Sequence, residues 1–319
     1  MEELYSVDPA AIRSLGVPVH GLIFLFKWGE EAAAVHRAQR VAAEKEASAS
    51  SSSSDAVFFA AQVVPNACAT QAILAVLLNR PEGEGSGSGL DLGHDLRELK
   101  AFAAGLDPES RGLALGGCER VRSAHAAFTP PVPIAASDDK EDGKDEAYHF
   151  ISYVPCAADG ALYELDGLAP GPRRLGGPDA TFPPGSDGWL EAAAEAVQAR
   201  IAAYSGAEIR FNLMAVVQDR RAVAAAAEAA AADAGDAPGA AAARDARAAA
   251  DAAHSAWAAE NERRRTNFVP FTLAALRHLA GAGQLAPFIA AAKEGAAEAA
   301  AQASGGGGGG GGGGERMAS

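Results

Sequence analysis

Residues 55–79, DAVFFAAQVVPNACATQAILAVLLN, constrain this chain more than any other stretch. VFFAAQVV reads as extended, Pro65 and Asn66 mark a turn, and ATQAILAVLL reads as an apolar helix. Cys68 stands just after the turn, at the start of that helix. A cysteine taken at random is more often a small buried apolar residue than a reactive one. Its place here argues otherwise. The unpaired amides and positive end of a helix stabilise a thiolate. A thiol with an ordinary pKa of about 8.5 falls by about one unit or more in such surroundings.

The flanking segments supply the rest of a domain. Glu3 to Val7 reads as a short strand, followed by a short helix. VHGLIFLFKW then reads as a strand buried on both faces. Residues 31–54 turn polar and alanine-rich and end in a serine tract, as an insertion loop or partly disordered segment does. Arg80 to Gly89 is a Gly/Ser/Pro-rich loop, and Leu92 to Ala127 carries two or three helices, with Cys118 inside one of them. Thr129 to Glu146 follows neither period and reads as a long loop with an acidic run. YHFISYVP and ALYELDGL are strand candidates joined by the turn CAADG, which holds Cys156. A helix near Trp189 to Tyr204 and a strand from Glu208 to Val217 complete a unit over residues 1–221.

After Arg221 the composition changes. Residues 222–262 are mostly alanine, the best helix former, broken by AGDAPG; they offer little apolar area and read as an exposed helical spacer. Residues 263–300 recover amphipathic character as a helical hairpin turning at Gly281 to Gly283. Residues 301–319 form a glycine-rich flexible tail.

Charge and cysteine usage narrow the function. The formal net charge of −14 disfavours nucleic acid and anionic membrane and suits a partner with a basic face, although it equally serves solubility. Three cysteines are poor material for a disulfide framework, and no secretory signal opens the chain. The longest strongly apolar run, Val17 to Phe26, is too short for a membrane span. A reducing intracellular compartment is expected. The histidines show no metal-ligand spacing, so neither metal nor cofactor is implied.

A thiolate nucleophile needs a proton acceptor and donors for the developing oxyanion. His149 begins one of the paired strand candidates and Asp166 ends the other. If the two strands are adjacent and antiparallel, the carboxylate lies within reach of the imidazole and orients it. Gln62, six residues before Cys68 on the strand that feeds the turn, is a candidate oxyanion donor beside the Cys68 amide. Read singly, each has an ordinary alternative: a satisfied core histidine, a turn aspartate, an edge-strand glutamine.

QVVPNACATQAI around Cys68, HFISYVP and LYELDGL together resemble the ubiquitin C-terminal hydrolases. PVHGLIFLFKW, GLAL at Gly112 to Leu115 and EIRFNLMAVV resemble the same family in the same order, over most of residues 1–221. The resemblance implies an α/β fold: a papain-like α/β/α catalytic domain with a central, antiparallel-rich sheet, plus a C-terminal α-helical extension. It implies a thiol-dependent deubiquitinase cutting after the last glycine of ubiquitin. In it Cys68 is the nucleophile, His149 the general base and then acid, Asp166 the orienting group and Gln62 an oxyanion donor. Residues 129–146 would be the crossover loop over the cleft. Asn267 to Lys293 resembles the extension by which larger, proteasome-associated members dock on a proteasomal ubiquitin receptor, which implies a cytoplasmic and nuclear protein. The helix that precedes the family's first strand has no counterpart here. The alternative is therefore a catalytically impaired ubiquitin-binding scaffold.

Overall fold

The computed structural model describes residues 1–30, 33–34, 36–38, 41, 56–81, 83, 90–127, 147–177, 179–183, 185–203, 211–293 and 295. The expected loop at 129–146, the tail at 301–319 and most of the expected insertion at 31–54 lie outside them; residues 33–34, 36–38 and 41 of that stretch are helical and not loop. The chain divides into two compact units, the first reaching Asn261 and the second holding Glu262 onward.

In the first unit β1 (Glu2–Leu4), β2 (Val19–Trp28), β3 (Ala147–Pro155), β4 (Leu162–Leu165), β5 (Arg173–Leu175) and β6 (Phe211–Val217) form one sheet. Its order is β1-β6-β2-β3-β4-β5, with every neighbouring pair antiparallel. The first strand is displaced from the expected Glu3 to Val7, and β5 was not legible in the sequence. Side chains alternate across the pleat, so each strand feeds two cores. On one face Leu22, Phe24, Phe26, Ile151 and Tyr153 pack with Ile12 of α1 (Pro9–Arg13) and with Trp189, Leu190, Ala193 and Val197 of α6 (Trp189–Ala202). On the other, Ile23, Val154, Leu165 and Val216 pack on Ala72 and Val76 of α2 (Cys68–Leu78).

α2 is apolar nearly all round because it is covered twice. Its far side, Leu74 and Leu78, packs with Leu99 of α3 (Gly93–Ala103) and Leu115 of α4 (Pro108–Gly117). The architecture is thus α/β/α around a mixed core, as the sequence implied.

Two local expectations are corrected. Cys118 is not inside a helix; it is the junction between α4 and α5 (Glu119–Ala126), capping one and opening the other. VFFAAQVV forms no strand of the sheet, so Gln62 is not on a strand. Side chains hold this segment instead. Asn79 pairs with both the N–H and the C=O of Phe58 (2.6 and 2.8 Å), and Gln71 donates to the Ala60 carbonyl. Arg111 donates to the Phe59 carbonyl, and the amides of Ala61 and Gln62 donate to the carbonyls of Pro108 and Gly167. Backbone groups of a buried segment must find partners somewhere; here they find them outside the sheet.

The alanine-rich stretch forms α7 (Arg220–Asp233) and α8 (Ala237–Arg265), interrupted at Gly235, whose φ of 69° is in the left-handed region. Glu228 of α7 pairs with Arg244 and Arg247 of α8. In the second unit, α9 (Val269–Gly281) is followed by a turn at Gly283 (φ 71°) and by helical residues 285–293. α9 buries none of its residues and exposes Phe271, Leu273 and Leu276. No described helix is long and apolar enough to cross a membrane.

Candidate active site

The pieces meet at the start of α2. Asn66 adopts φ 60°, a conformation that asparagine tolerates better than most non-glycine residues, and it turns the chain into the helix. The N-cap is Ala67, which has no side chain able to cap, so the first amides of α2 are not claimed by one. Cys68 is the first helical residue and is half-buried.

The β3–β4 register pairs Ser152 with Leu165. Continued by one step, it sets Asp166 opposite Ile151, so His149 is Asp166's diagonal neighbour on the same face. His149 Nε2 lies 2.8 Å from Asp166 Oδ1, and each residue is only 3% exposed. The Leu168 amide donates to the same oxygen at 3.0 Å. With Nε2–H given to the carboxylate, Nδ1 is the ring nitrogen left for the thiol. Two aromatic rings of β2 wall the imidazole: Phe26, paired across the strands with His149, at 5.6 Å and Trp28 at 5.1 Å between centroids.

Electrostatics follow from this burial. Desolvation by itself would lower the His149 pKa, but hydrogen bonds to Asp166 and Cys68 and the charges of both raise it from 6.5 to about 9. Burial by itself would raise the Cys68 thiol; the His149 hydrogen bond and charge, with the amides of Phe150 and Ala69, hold it below its ordinary value. Burial would likewise raise Asp166, yet its imidazole partners and the Leu168 amide hold its carboxyl far below the ordinary 3.8. A lowered thiol beside a raised histidine is the arrangement that favours a thiolate–imidazolium pair, the form in which a cysteine is nucleophilic.

Gln62 and Cys68 line one small cavity of ≈ 20 Å³, together with Gln71, Phe150, Leu165 and Gly167. Gly167 makes the approach possible. A Cβ there would stand 2.6 Å from Gln71 Nε2 and 2.9 Å from the Gln62 Cβ. Gly112 plays the same part behind the segment, where a Cβ would collide with the Ala61 carbonyl oxygen at 2.0 Å. The structure therefore brings all four sequence-predicted residues, Gln62, Cys68, His149 and Asp166, to one place. Cys156 is buried away from it, with its thiol against the Ala56 carbonyl. Among the described residues no cluster of His, Cys, Asp and Glu could hold a metal.

Sequence reasoning missed several participants. Trp28 and Phe26 were legible only as strand residues, although their parity on β2 puts them on the face of His149. Gly167, Gln71 and Asn79 act through tertiary contacts that no motif announces. His36 Nε2 lies 3.5 Å from Asp166 Oδ2, and nothing in the sequence pointed to it.

Comparison with known proteins agrees with this geometry. The family described as ubiquitin carboxyl-terminal hydrolase, family 1, matches residues 1–202. A second description, of ubiquitin carboxyl-terminal hydrolases, matches residues 254–285. The chain is 41% identical to ubiquitin carboxyl-terminal hydrolase isozyme L5 of Dictyostelium discoideum over 221 residues, covering 69% of this chain and 56% of that protein. It thus spans little more than half the length of that relative. It is 33% identical to ubiquitin carboxyl-terminal hydrolase ubh-4 of Caenorhabditis elegans, over 89% of this chain and 81% of that one. The crystal structure of Trichinella spiralis UCH37 bound to ubiquitin vinyl methyl ester superposes with a TM-score of 0.56 at 32% identity, covering 82% of this chain and 88% of that chain.

Proposed function

The chain belongs to ubiquitin carboxyl-terminal hydrolase family 1, and from that premise we propose that it is a thiol-dependent deubiquitinase acting on the bond after the C-terminal glycine of ubiquitin. The observation that carries the proposal is the geometry of His149, held by Asp166 at 2.8 Å, beside a thiol at an uncapped helix start that this imidazole holds below its ordinary pKa. In this reading Cys68 Sγ attacks the glycine carbonyl carbon as thiolate, forming the C–S bond. The amide of Cys68 and the side-chain amide of Gln62 take the oxyanion. The proton on His149 Nδ1 passes to the leaving amine as the C–N bond breaks, which leaves a ubiquitinyl thioester. His149 then removes a proton from water, the water oxygen attacks the thioester carbonyl, and the thiolate leaves. Asp166 keeps the imidazole in the tautomer and orientation that both halves need.

The domain assignment follows the same reading: a catalytic unit over 1–221, a helical spacer over 222–262 and a helical extension over 263–300. We extend the proposal to the protein's setting. The match at 254–285 and the exposed apolar residues of α9 support docking of Asn267–Lys293 on a proteasomal ubiquitin receptor, and with it a cytoplasmic and nuclear role in proteasomal protein turnover.

The test is a ubiquitin whose C-terminus carries a thiol-reactive electrophile. The folded protein should gain one ubiquitin in mass, and Cys68→Ala should abolish the gain. An adduct that survives Cys68→Ala moves the nucleophile elsewhere. Folded protein that binds ubiquitin without forming an adduct is a scaffold, and the enzymatic proposal is then wrong.

A further inference from the structure

The Asp166 carboxylate has two oxygens, and the triad uses only one. Oδ1 accepts from His149 and from the Leu168 amide. Oδ2 is fully buried and has no hydrogen bond, in a residue 3% exposed. A buried carboxylate oxygen without a donor costs free energy, and more so when the group is charged. Facing it is a second imidazole. His36 Nε2 lies 3.5 Å from Asp166 Oδ2, with its side chain 12% exposed. That nitrogen is itself buried and lacks a hydrogen bond. The separation is within ionic reach and a few tenths of an ångström beyond a good N–H···O bond. Two unsatisfied buried atoms of complementary type thus stand opposite each other.

Trp28 links the two imidazoles. Its ring meets His149 at 5.1 Å and 63°, and His36 at 5.6 Å and 69°, edge-on to both. One indole therefore limits the tilt of both rings. Among the described residues, two other titratable groups near this cluster have partners of their own. The Cys68 thiol faces the Tyr148 carbonyl at 3.8 Å. Glu164, two residues before Asp166 on the same face of β4, is occupied by Arg173 at 2.6 Å and Arg200 at 2.7 Å.

We propose that His36 is a positioning residue of the catalytic site: its Nε2–H donates to Asp166 Oδ2 and fixes the plane of the carboxylate that orients His149. This rests on the thiol-protease reading of the site and adds a fourth side chain to it. A carboxylate held at one oxygen can rotate about its Cβ–Cγ bond. Held at both, it keeps Oδ1 aimed at His149 Nε2 through the cycle in which the imidazole gains and loses a proton.

The test has one readout that does not involve ubiquitin. The rate of Cys68 alkylation by iodoacetamide, followed against pH, reports the thiolate. In His36→Ala the imidazolium is less well held, so the profile moves upward and alkylation at pH 6 slows by about fivefold. With a fluorogenic ubiquitin C-terminal amide, kcat falls about tenfold while KM stays within about twofold. His36→Gln, whose amide N–H can reach the same oxygen, keeps both readouts within about threefold of wild type. In an Asp166→Asn background the amide carbonyl stays with its two donors, His149 and the Leu168 amide, and the NH2 turns to His36, so His36→Ala has less than about a twofold further effect. Profiles of His36→Ala that superimpose on wild type overturn the proposal. So does an undiminished effect in the Asp166→Asn background. A wild-type protein inert toward the ubiquitin substrate refutes the deubiquitinase reading alone, and the alkylation profiles still decide the role of His36.

Discussion

Replacing Asp166 by asparagine removes one charge and almost no volume, so its effect measures what the carboxylate does for the imidazole 2.8 Å away. In the folded protein His149 is raised from 6.5 to about 9 against the opposing effect of burial, first by Asp166 and then by Cys68. At pH 7.5 the imidazole is then almost wholly protonated, about 97%. Without the carboxylate, burial works against the cation and Cys68 alone supports it, so the pKa falls back toward 6.5. At 6.5 the protonated fraction is about 9%, so the ion pair that keeps Cys68 ionised weakens by up to about tenfold. Asp166→Asn should therefore move the Cys68 alkylation profile toward that of an ordinary thiol and lower kcat/KM by about that factor, with tautomer errors adding to it. Stability should change with pH in a defined sense. The His149 contribution is fully present below pH 6.5 and is lost as pH rises through about 9. That of Asp166, whose carboxyl is held below its ordinary value, is present above about pH 3.8 and lost on acidification through its depressed pKa. Urea midpoints of wild type and variant should differ most between those limits and converge outside them. An alkylation profile unchanged by Asp166→Asn would refute the reasoning, because it would mean that the thiolate does not depend on the held imidazolium.

Two further outcomes test the scaffold of the site. Gly167→Ala should cost about 1–3 kcal/mol in urea denaturation and lower kcat, since its Cβ would press on Gln71 and Gln62 at 2.6 and 2.9 Å; unchanged stability and rate would show that the segment carrying Gln62 shifts freely. Glu164→Gln should destabilise the fold by about 3–5 kcal/mol, because it removes the charge that faces the buried Arg200 guanidinium, 3% exposed; a midpoint within error of wild type would mean that this carboxylate charge is not what the fold needs at Arg200.

Much of the site could be read from the chain because its signals are local. The turn at Pro65–Asn66 and the apolar helix after it place Cys68 at a helix start whatever surrounds them. The strand pair around CAADG brings His149 near Asp166 once the two strands are antiparallel neighbours, and a tight turn between strands favours that arrangement. The apolar face of α9 follows from its period. The misreadings have a common origin. VFFAAQVV has the composition of a strand, but composition records a preference for extended backbone and not the identity of the hydrogen-bond partner. Cys118 fell at a boundary between two helices with similar periodicity, where sequence patterns blur.

The sequence by itself determined where Cys68 lies, which segments carry His149 and Asp166 and which residues alternate toward each core, because these depend on neighbours a few positions apart. Only the tertiary structure decided what holds them to one geometry. It set the 56–63 segment against Asn79, Gln71, Arg111 and Gly167 and not in the sheet. It closed Trp28 and Phe26 around His149 and brought His36 to the free oxygen of Asp166 across 130 residues of chain, from 36 to 166. Such contacts join groups whose separation along the chain carries no period, so they exist only once the sheet has fixed its register and the helices have packed on both of its faces.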